Sequence, residues 1–409
     1  MMDMRINLDR LKKEIEELAQ IGRDPKGGIS RPSFSNADLD ARLWLKDRIK
    51  TAGLELRQDG AGNIFGRLEG AGKTVMAGSH IDTVINGGMF DGSVGVLSAL
   101  ECLRRIKEEG VERTKPLEVV SFTDEEGNLI GDFLGSRAFI SPPSRNILEN
   151  GKTQFGIPFA DVLADTEFSI ESIMEAHKKR PEIETFLEIH IEQGPVLETE
   201  DKPIGIVDII AGKNYRECQF LGEASHAGTT PFELRHDALL GLADFALKGT
   251  QYVATHHYGS MLTIGRVKVH PGAFTIVPGE VDFSLDFRST SQQTLTELEE
   301  RLMSMAKDVA STRGLHFSSH IIDKTDPVPI PATVQDMMKT QCEKLGFEYM
   351  TLPSGAGHDA QILASVADTG LIFIPCEDGI SHSPKEMIRW EDLDMGANLL
   401  LHMLMELAA

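Results

Sequence analysis

Apolar residues recur at helical spacing over 7–22 and again over 36–53, the second stretch rich in Lys, Arg, Leu and Ala. From about residue 55 the pattern shortens to LELRQ, NIFGRL and KTVMAGSH, runs broken by glycine that read as strands, the last almost wholly apolar until His80. GSVGVLSALECLRRIKEEG (92–110) reads as a helix stopped by Gly110, and PLEVVSFTDEEG (116–127) as a buried strand ending in three consecutive acids. ETFLEIHIEQGP (184–195) and LIFIP (371–375) are two more apolar strands. Uninterrupted apolar strands alternating with helices predict an α/β fold, a mostly parallel sheet with helices on both faces.

Between these segments the texture changes. IGIVDIIAG, YRECQFLGEA, SMLTIGRVKVH and GEVDFSLDFRS (within 204–289) alternate like antiparallel strands, with helices expected at about 234–255 and 291–314. The expected division is residues 1–207 with 326–409 as one domain and 208–325 as an inserted α+β domain.

Composition narrows the function classes. With 41 Lys+Arg against 63 Asp+Glu, the formal charge of −22 repels phosphate backbones and anionic lipid, so neither nucleic acid nor a membrane surface is an expected partner. A small anionic substrate stays open, because local cations can reverse the field within one cleft. Four scattered cysteines with no CxxC fit a reducing compartment, and neither a signal-like N-terminus nor a membrane-length apolar run is seen; a cytoplasmic protein is expected.

In parallel sheets, ligands collect beyond the carboxyl ends of the strands. GSHIDT (78–83), FTDEEG (122–127), EIHIEQG (188–194) and EDGISHSP (377–384) fall there, joined by the glycine-flanked loop GGMFDGS (87–93). Together they bring His80, Asp82, Asp91, Glu125, Glu126, His190 and His382 to one sheet edge. Taken singly, a strand-end histidine is ordinarily a hydrogen-bonded structural group, and an aspartate between glycines is a turn or cap. Three adjacent acids directly after an apolar strand are different, because they need compensation. Imidazoles and carboxylates in one place are suited to divalent metal, and two ions would supply that compensation.

The ordered strings GSHIDTV, GGMFDG, TDEEG, EIHIEQGPVLE, GEASHAGTTP, LPSGAGHDAQ and GISHSP resemble the amidase, hydantoinase/carbamoylase branch of the dinuclear aminoacylase/carboxypeptidase superfamily, from about residue 27 to 385. The resemblance implies a dizinc-aminopeptidase-like catalytic domain and an inserted lid that also joins a homodimer. It implies two divalent ions per subunit (Zn, or Mn, Co or Ni), one on His80 and His190, the other on Glu126 and His382, with Asp91 bridging. Asp82 would orient His80, and Glu125 would be the general base. His226, in SHAGTTP, would steady a developing oxyanion, often in the partner subunit's site. Arg288 would clamp a substrate carboxylate and Gln193 a ureido or amide group, while Gly357 and His358 lie in a loop that packs against substrate in relatives. His358 is equally suited to supporting that loop.

Two positions depart from the family pattern. Thr275 stands where relatives usually carry asparagine, and EEGNLIGDFLGS lacks an Arg-Phe pair that relatives often have after the double glutamate. Both bear on substrate fit, not on metal binding. The expected activity is hydrolysis of the ureido C–N bond of an N-carbamoyl-L-amino acid, with allantoate the nearest alternative. An aminoacylase or dipeptidase is disfavoured by His190 and the EQGP run, and a catalytically silent binding protein by the complete ligand set.

Overall fold

The computed structural model describes residues 4–409. Two compact units divide between Asp208 and Ile209 and between Pro329 and Ile330: the chain up to Asp208 with Ile330–Ala409, and Ile209–Pro329. The strands in chain order are β1 (Glu55–Gln58), β2 (Ile64–Leu68), β3 (Thr74–His80), β4 (Leu117–Phe122), β5 (Ile183–Ile191) and β6 (Gly205–Ile210), which crosses the boundary. Then come β7 (Gly212–Leu221), β8 (Ser225–His226), β9 (Met261–Thr263), β10 (Val267–His270), β11 (Ile276–Val277), β12 (Glu280–Ser289), β13 (His316–Thr325), β14 (Val328–Pro329), β15 (Met350–Ser354) and β16 (Asp368–Ile374).

The first unit is built on a sheet of order β1-β2-β4-β3-β5-β16-β6, with β15 also on β6. Its four central strands are parallel, whereas β1, β2 and β6 join antiparallel at the flanks. The centre is the part whose strands read as unbroken apolar runs: every residue of β3 and β4 is buried. Register places His80 beside Phe122 and Ile191 beside Ile374, so the carboxyl ends of β3, β4, β5 and β16 share one edge.

The helix Ser93–Glu108 is buried on nearly all sides, which explains its apolar first turns. It packs on β3, β4 and β5 and is itself covered by the helices Leu8–Leu18 and Trp390–Ala408. A second apolar cluster, including Leu134, Leu148, Phe159, Leu163 and Ile173, belongs to four short helices between Leu134 and Glu175. Sequence patterning gave no expectation for that stretch, because helices of six or seven residues are too short for a clear period.

The second unit is an antiparallel sheet of order β10-β12-β7-β13, with β9 also on β12, and a separate two-stranded ribbon of β8 and β11. Strict alternation of buried and half-buried residues along β12 matches the alternation in its sequence. The helices Ala238–His256 and Gln292–Arg313 cover the apolar face around Phe220, Phe283 and Phe287. No helix among the described residues is long and apolar enough to cross a membrane.

Leu100, fully buried in the helix Ser93–Glu108, tests the first core. Leu100→Ala is expected to cost about 2–5 kcal/mol in urea unfolding, with the far-UV spectrum of the native state retained.

Candidate metal centre

His80 is the last residue of β3, and His190 the penultimate residue of β5. Glu125 and Glu126 follow β4 by three and four residues, Asp91 sits just before the helix Ser93–Glu108, and His382 lies in the loop beyond β16. The fold brings all six together, and Asp91 is the centre. Its Oδ1 lies 3.2 Å from His190 Nε2 and 3.5 Å from His80 Nε2, and its Oδ2 lies 3.1 Å from His382 Nε2. Glu126 Oε2 is 3.5 Å from the same His382 nitrogen, and Glu125 Oε2 is 3.6 Å from His80 Nε2. Two ligand groups result, His80–Asp91–His190 and Asp91–Glu126–His382, sharing one carboxylate.

Both buried imidazoles are fixed by their far nitrogens. His80 Nδ1 lies 3.0 Å from the Asp82 carbonyl, and His190 Nδ1 lies 2.9 Å from the Ile191 carbonyl. A carbonyl only accepts, so each Nδ1 carries a hydrogen and each Nε2 is turned toward Asp91 at the centre. The Asp82 carbonyl is thus the atom of that residue that meets His80 Nδ1. The chain turns after β3, leaving the carboxylate 3.7 Å from Nδ1, where it accepts the Glu126 N–H at 3.3 Å.

Glycine at 92 is required by the geometry. Its φ is +62°, and a Cβ there would come within 2.3 Å of His80 Nε2.

Gln193 donates from Nε2 to Asp91 Oδ2 at 2.9 Å, at the margin of the second ligand group. His358 is 1% exposed; its ring meets that of His190 edge-on at 4.7 Å, and its Nε2 lies 3.1 Å from Ser354 Oγ. These contacts tie His358 to β5 and to the end of β15. Gly357 has no room for a side chain, since a Cβ would lie 2.7 Å from the Phe133 ring.

Within the second unit, His226 and Thr275 share the β8–β11 ribbon: His226 is paired with Ile276, and Ala227 N–H donates to the Thr275 carbonyl. Arg288, on β12, is held by Asp286 and by the Tyr215 hydroxyl, the latter at 2.8 Å. His270, Glu280 and Asp282 form another ligand-like group here, but they lie on the open face and Gln219 already donates to both carboxylates.

Two residues escaped the sequence reading. Arg31, 1% exposed, donates from Nε to the Ile81 carbonyl at 2.7 Å and so grips the turn between His80 and Asp82. Glu386, 3% exposed, accepts the N–H groups of Phe90 and Asp91. Glu386 stands four residues after His382, the one signal that pointed to it.

The model of peptidase family M20/M25/M40 matches residues 76–406. The chain belongs to this family. It is 35% identical over 411 residues to an N-carbamoyl-L-amino-acid amidohydrolase of Pseudomonas sp. (strain NS671), covering 98% of each chain. It is 32% identical over 402 residues to an allantoate amidohydrolase of Bacillus subtilis (strain 168), covering 96% of each. A solved amidase of the hydantoinase/carbamoylase family from Burkholderia vietnamiensis superposes with a TM-score of 0.89 at 32% identity, over 100% of this chain and 99% of that one. The expected family branch is thereby borne out, and the chain is a metal-dependent hydrolase of the M20 family.

The residues of this M20 chain fit divalent metal on their own chemistry. His80 Nε2 and Glu126 Oε1 are buried with no hydrogen-bond partner among the described residues, a condition that costs about 1–3 kcal/mol per group unless something binds there. Burial pushes the Glu125 carboxyl well above the usual carboxylate range, His80 opposing and Glu126 adding to the shift. Burial and then Asp91 carry Glu126 up to about 8. The hydrogen bond to Asp91 leads in raising His382 to about 9. The metal-free pocket thus holds protons that ligand binding must expel.

A divalent ion binds the deprotonated ligands, so raised affinities for protons weaken metal uptake as pH falls. Apparent affinity is expected to rise from pH 6 to pH 9. Calorimetric titration in buffers of different ionisation enthalpy checks this, through protons released on binding.

Proposed function

We propose that this chain cleaves the ureido C–N bond of N-carbamoyl-L-amino acids, releasing ammonia, carbon dioxide and the amino acid. The observation that carries the reading is the position of Asp91, one carboxylate between two imidazole-bearing ligand groups, with an unbound acid, Glu125, beside them. On this reading His80, Asp91 and His190 hold one divalent ion, and Asp91, Glu126 and His382 hold another. Divalent ions there supply Lewis acidity toward a carbonyl oxygen and lower the pKa of water.

The chain's own groups supply the rest. Glu125 has a side chain 12% exposed and a carboxyl with a raised affinity for protons, so it takes a proton at Oε2 and passes it to the leaving nitrogen. Gln193, at the edge of Asp91 and His382, meets the ureido group. Arg288, its guanidinium aligned by Asp286 and Tyr215, binds the substrate carboxylate. His226 steadies the oxyanion, and Thr275 and Gly357 shape the fit. Thr275 offers a hydroxyl in place of a longer amide, which favours a carbamoyl amino acid over allantoate, the more demanding of the two ureides. Relatives named for both activities leave allantoate as the second reading.

A homodimer through the second unit belongs to the same proposal. The helix Ala238–His256 leaves Leu240, Ala243, Leu247, Thr250 and Ala254 exposed, at alternating spacings of three and four. That spacing makes one continuous seam of apolar and small residues suited to a second copy of the helix.

Three measurements test these statements. Ammonia release from metal-reconstituted protein is expected with a panel of N-carbamoyl-L-amino acids, faster than with allantoate or N-acyl amino acids and abolished by chelator; release only from N-acyl substrates contradicts the ureide reading. Glu125→Gln is expected to lower kcat by about a hundredfold or more with metal still bound; full activity would remove Glu125 from the mechanism. Sedimentation should show a dimer that Leu247→Lys converts to monomer.

A further inference from the structure

Both ligand groups depend on the placement of Asp91, yet the two sides are supported differently. His80 and His190 stand on β3 and β5, central strands whose ladders fix their backbones. Asp91 and His382 stand on loops 291 positions apart in sequence; the His382 side chain is half exposed and its backbone has φ +54°. Glu386 ties those loops together through both of its oxygens. Glu386 Oε1 accepts the Phe90 N–H at 2.9 Å and the Asp91 N–H at 3.1 Å. Its Oε2 is 3.0 Å from Ser381 Oγ, which is also 3.0 Å from Asp91 Oδ2, the oxygen that faces His382. The turn carrying Glu386 is closed by its own N–H on the Ser383 carbonyl. The contact is close enough that a Cβ on Gly88 would fall 2.1 Å from Glu386 Oε1. Glu386 belongs to neither ligand group.

We infer that Glu386 is the positioning residue of the centre: acting through Asp91 and Ser381, it holds the shared carboxylate against the His382 loop and so sets the affinity of the Asp91–Glu126–His382 group for its ion. This rests on the two-ion reading above. The effect is directional, because the strands still present His80 and His190 when Glu386 is removed, whereas Oδ2 and His382 are then left to the side chains of Gln193 and Ser381. Ser381 has a single hydrogen for two acceptors, so a partner at 386 that donates to Ser381 frees that hydrogen for Asp91. Glutamine does this. Its amide oxygen keeps the two N–H groups of the Asp91 loop, and its NH2 serves the serine.

The test is a Co2+ titration of the full-length metal-free protein, following heat and the visible d–d absorption, without substrate. Wild type is expected to show two binding events. Glu386→Ala is expected to weaken one event by about ten- to a hundredfold, with its absorption band altered, and leave the other unchanged. Ser381→Ala should weaken the same event, and keeps the measurement available if Glu386→Ala fails to fold. Glu386→Gln should restore it. Two events at wild-type strength in Glu386→Ala overturn the inference, as do equal weakening of both events or failure of glutamine to rescue. A wild type that binds a single ion removes the two-ion reading and the inference with it. A wild type that binds two ions but hydrolyses no ureide contradicts the proposed substrate alone, leaving the role of Glu386 standing.

Discussion

A buried carboxylate is tolerated when both of its oxygens have positive or donating partners, and Asp91 meets that condition in an unusual way. Oδ1 faces two imidazoles from the sheet, and Oδ2 faces a third imidazole, an amide and a hydroxyl from loops. Several features of the first unit serve that placement. The parallel register of β3, β4 and β5 brings His80, the Glu125–Glu126 pair and His190 to one edge. Gly92 lets the chain pass His80 without a side chain, and Gly88 lets Glu386 approach the loop that bears Asp91.

The electrostatics explain why such an edge is also a reactive one. Asp82 and Asp91 are buried beside Glu125 and Glu126, whose side chains are 12% and 6% exposed, and burial holds protons on Glu125 and Glu126 that would be lost in solution. On the proposed reading, cations at the two ligand groups would relieve that crowding, and Glu125, in neither group, would keep the proton affinity of a usable base. Arg31 contributes from below, gripping the Ile81 carbonyl and placing a buried positive charge near Asp82. Stability and chemistry are therefore coupled at this edge: the groups least comfortable in the metal-free interior are the ones proposed to react.

Much of this was legible in the sequence because it is local. Apolar strands that stop at His80, at the acid run after Phe122 and at Glu192 announce themselves through period and composition, and glycines flank the Asp91 loop. The supports were not legible, since they depend on contacts between distant segments. Glu386 lies 295 residues from Asp91 and Arg31 lies 50 from Ile81, and neither stands in a pattern of its own. Which atom of Asp82 meets His80 was not legible either: it is the carbonyl, a choice set by backbone torsion after β3. The antiparallel flank β2 and the short helices between Leu134 and Glu175 likewise follow from tertiary packing rather than from period.

The central claim is that one carboxylate, Asp91, is shared by two ions. Electron paramagnetic resonance of the protein loaded with two equivalents of Mn2+ tests it most directly, because ions bridged by a common carboxylate are magnetically coupled. The account predicts an exchange-coupled spectrum that is lost in Asp91→Ala. A spectrum equal to the sum of two isolated six-line signals in the wild type would contradict it.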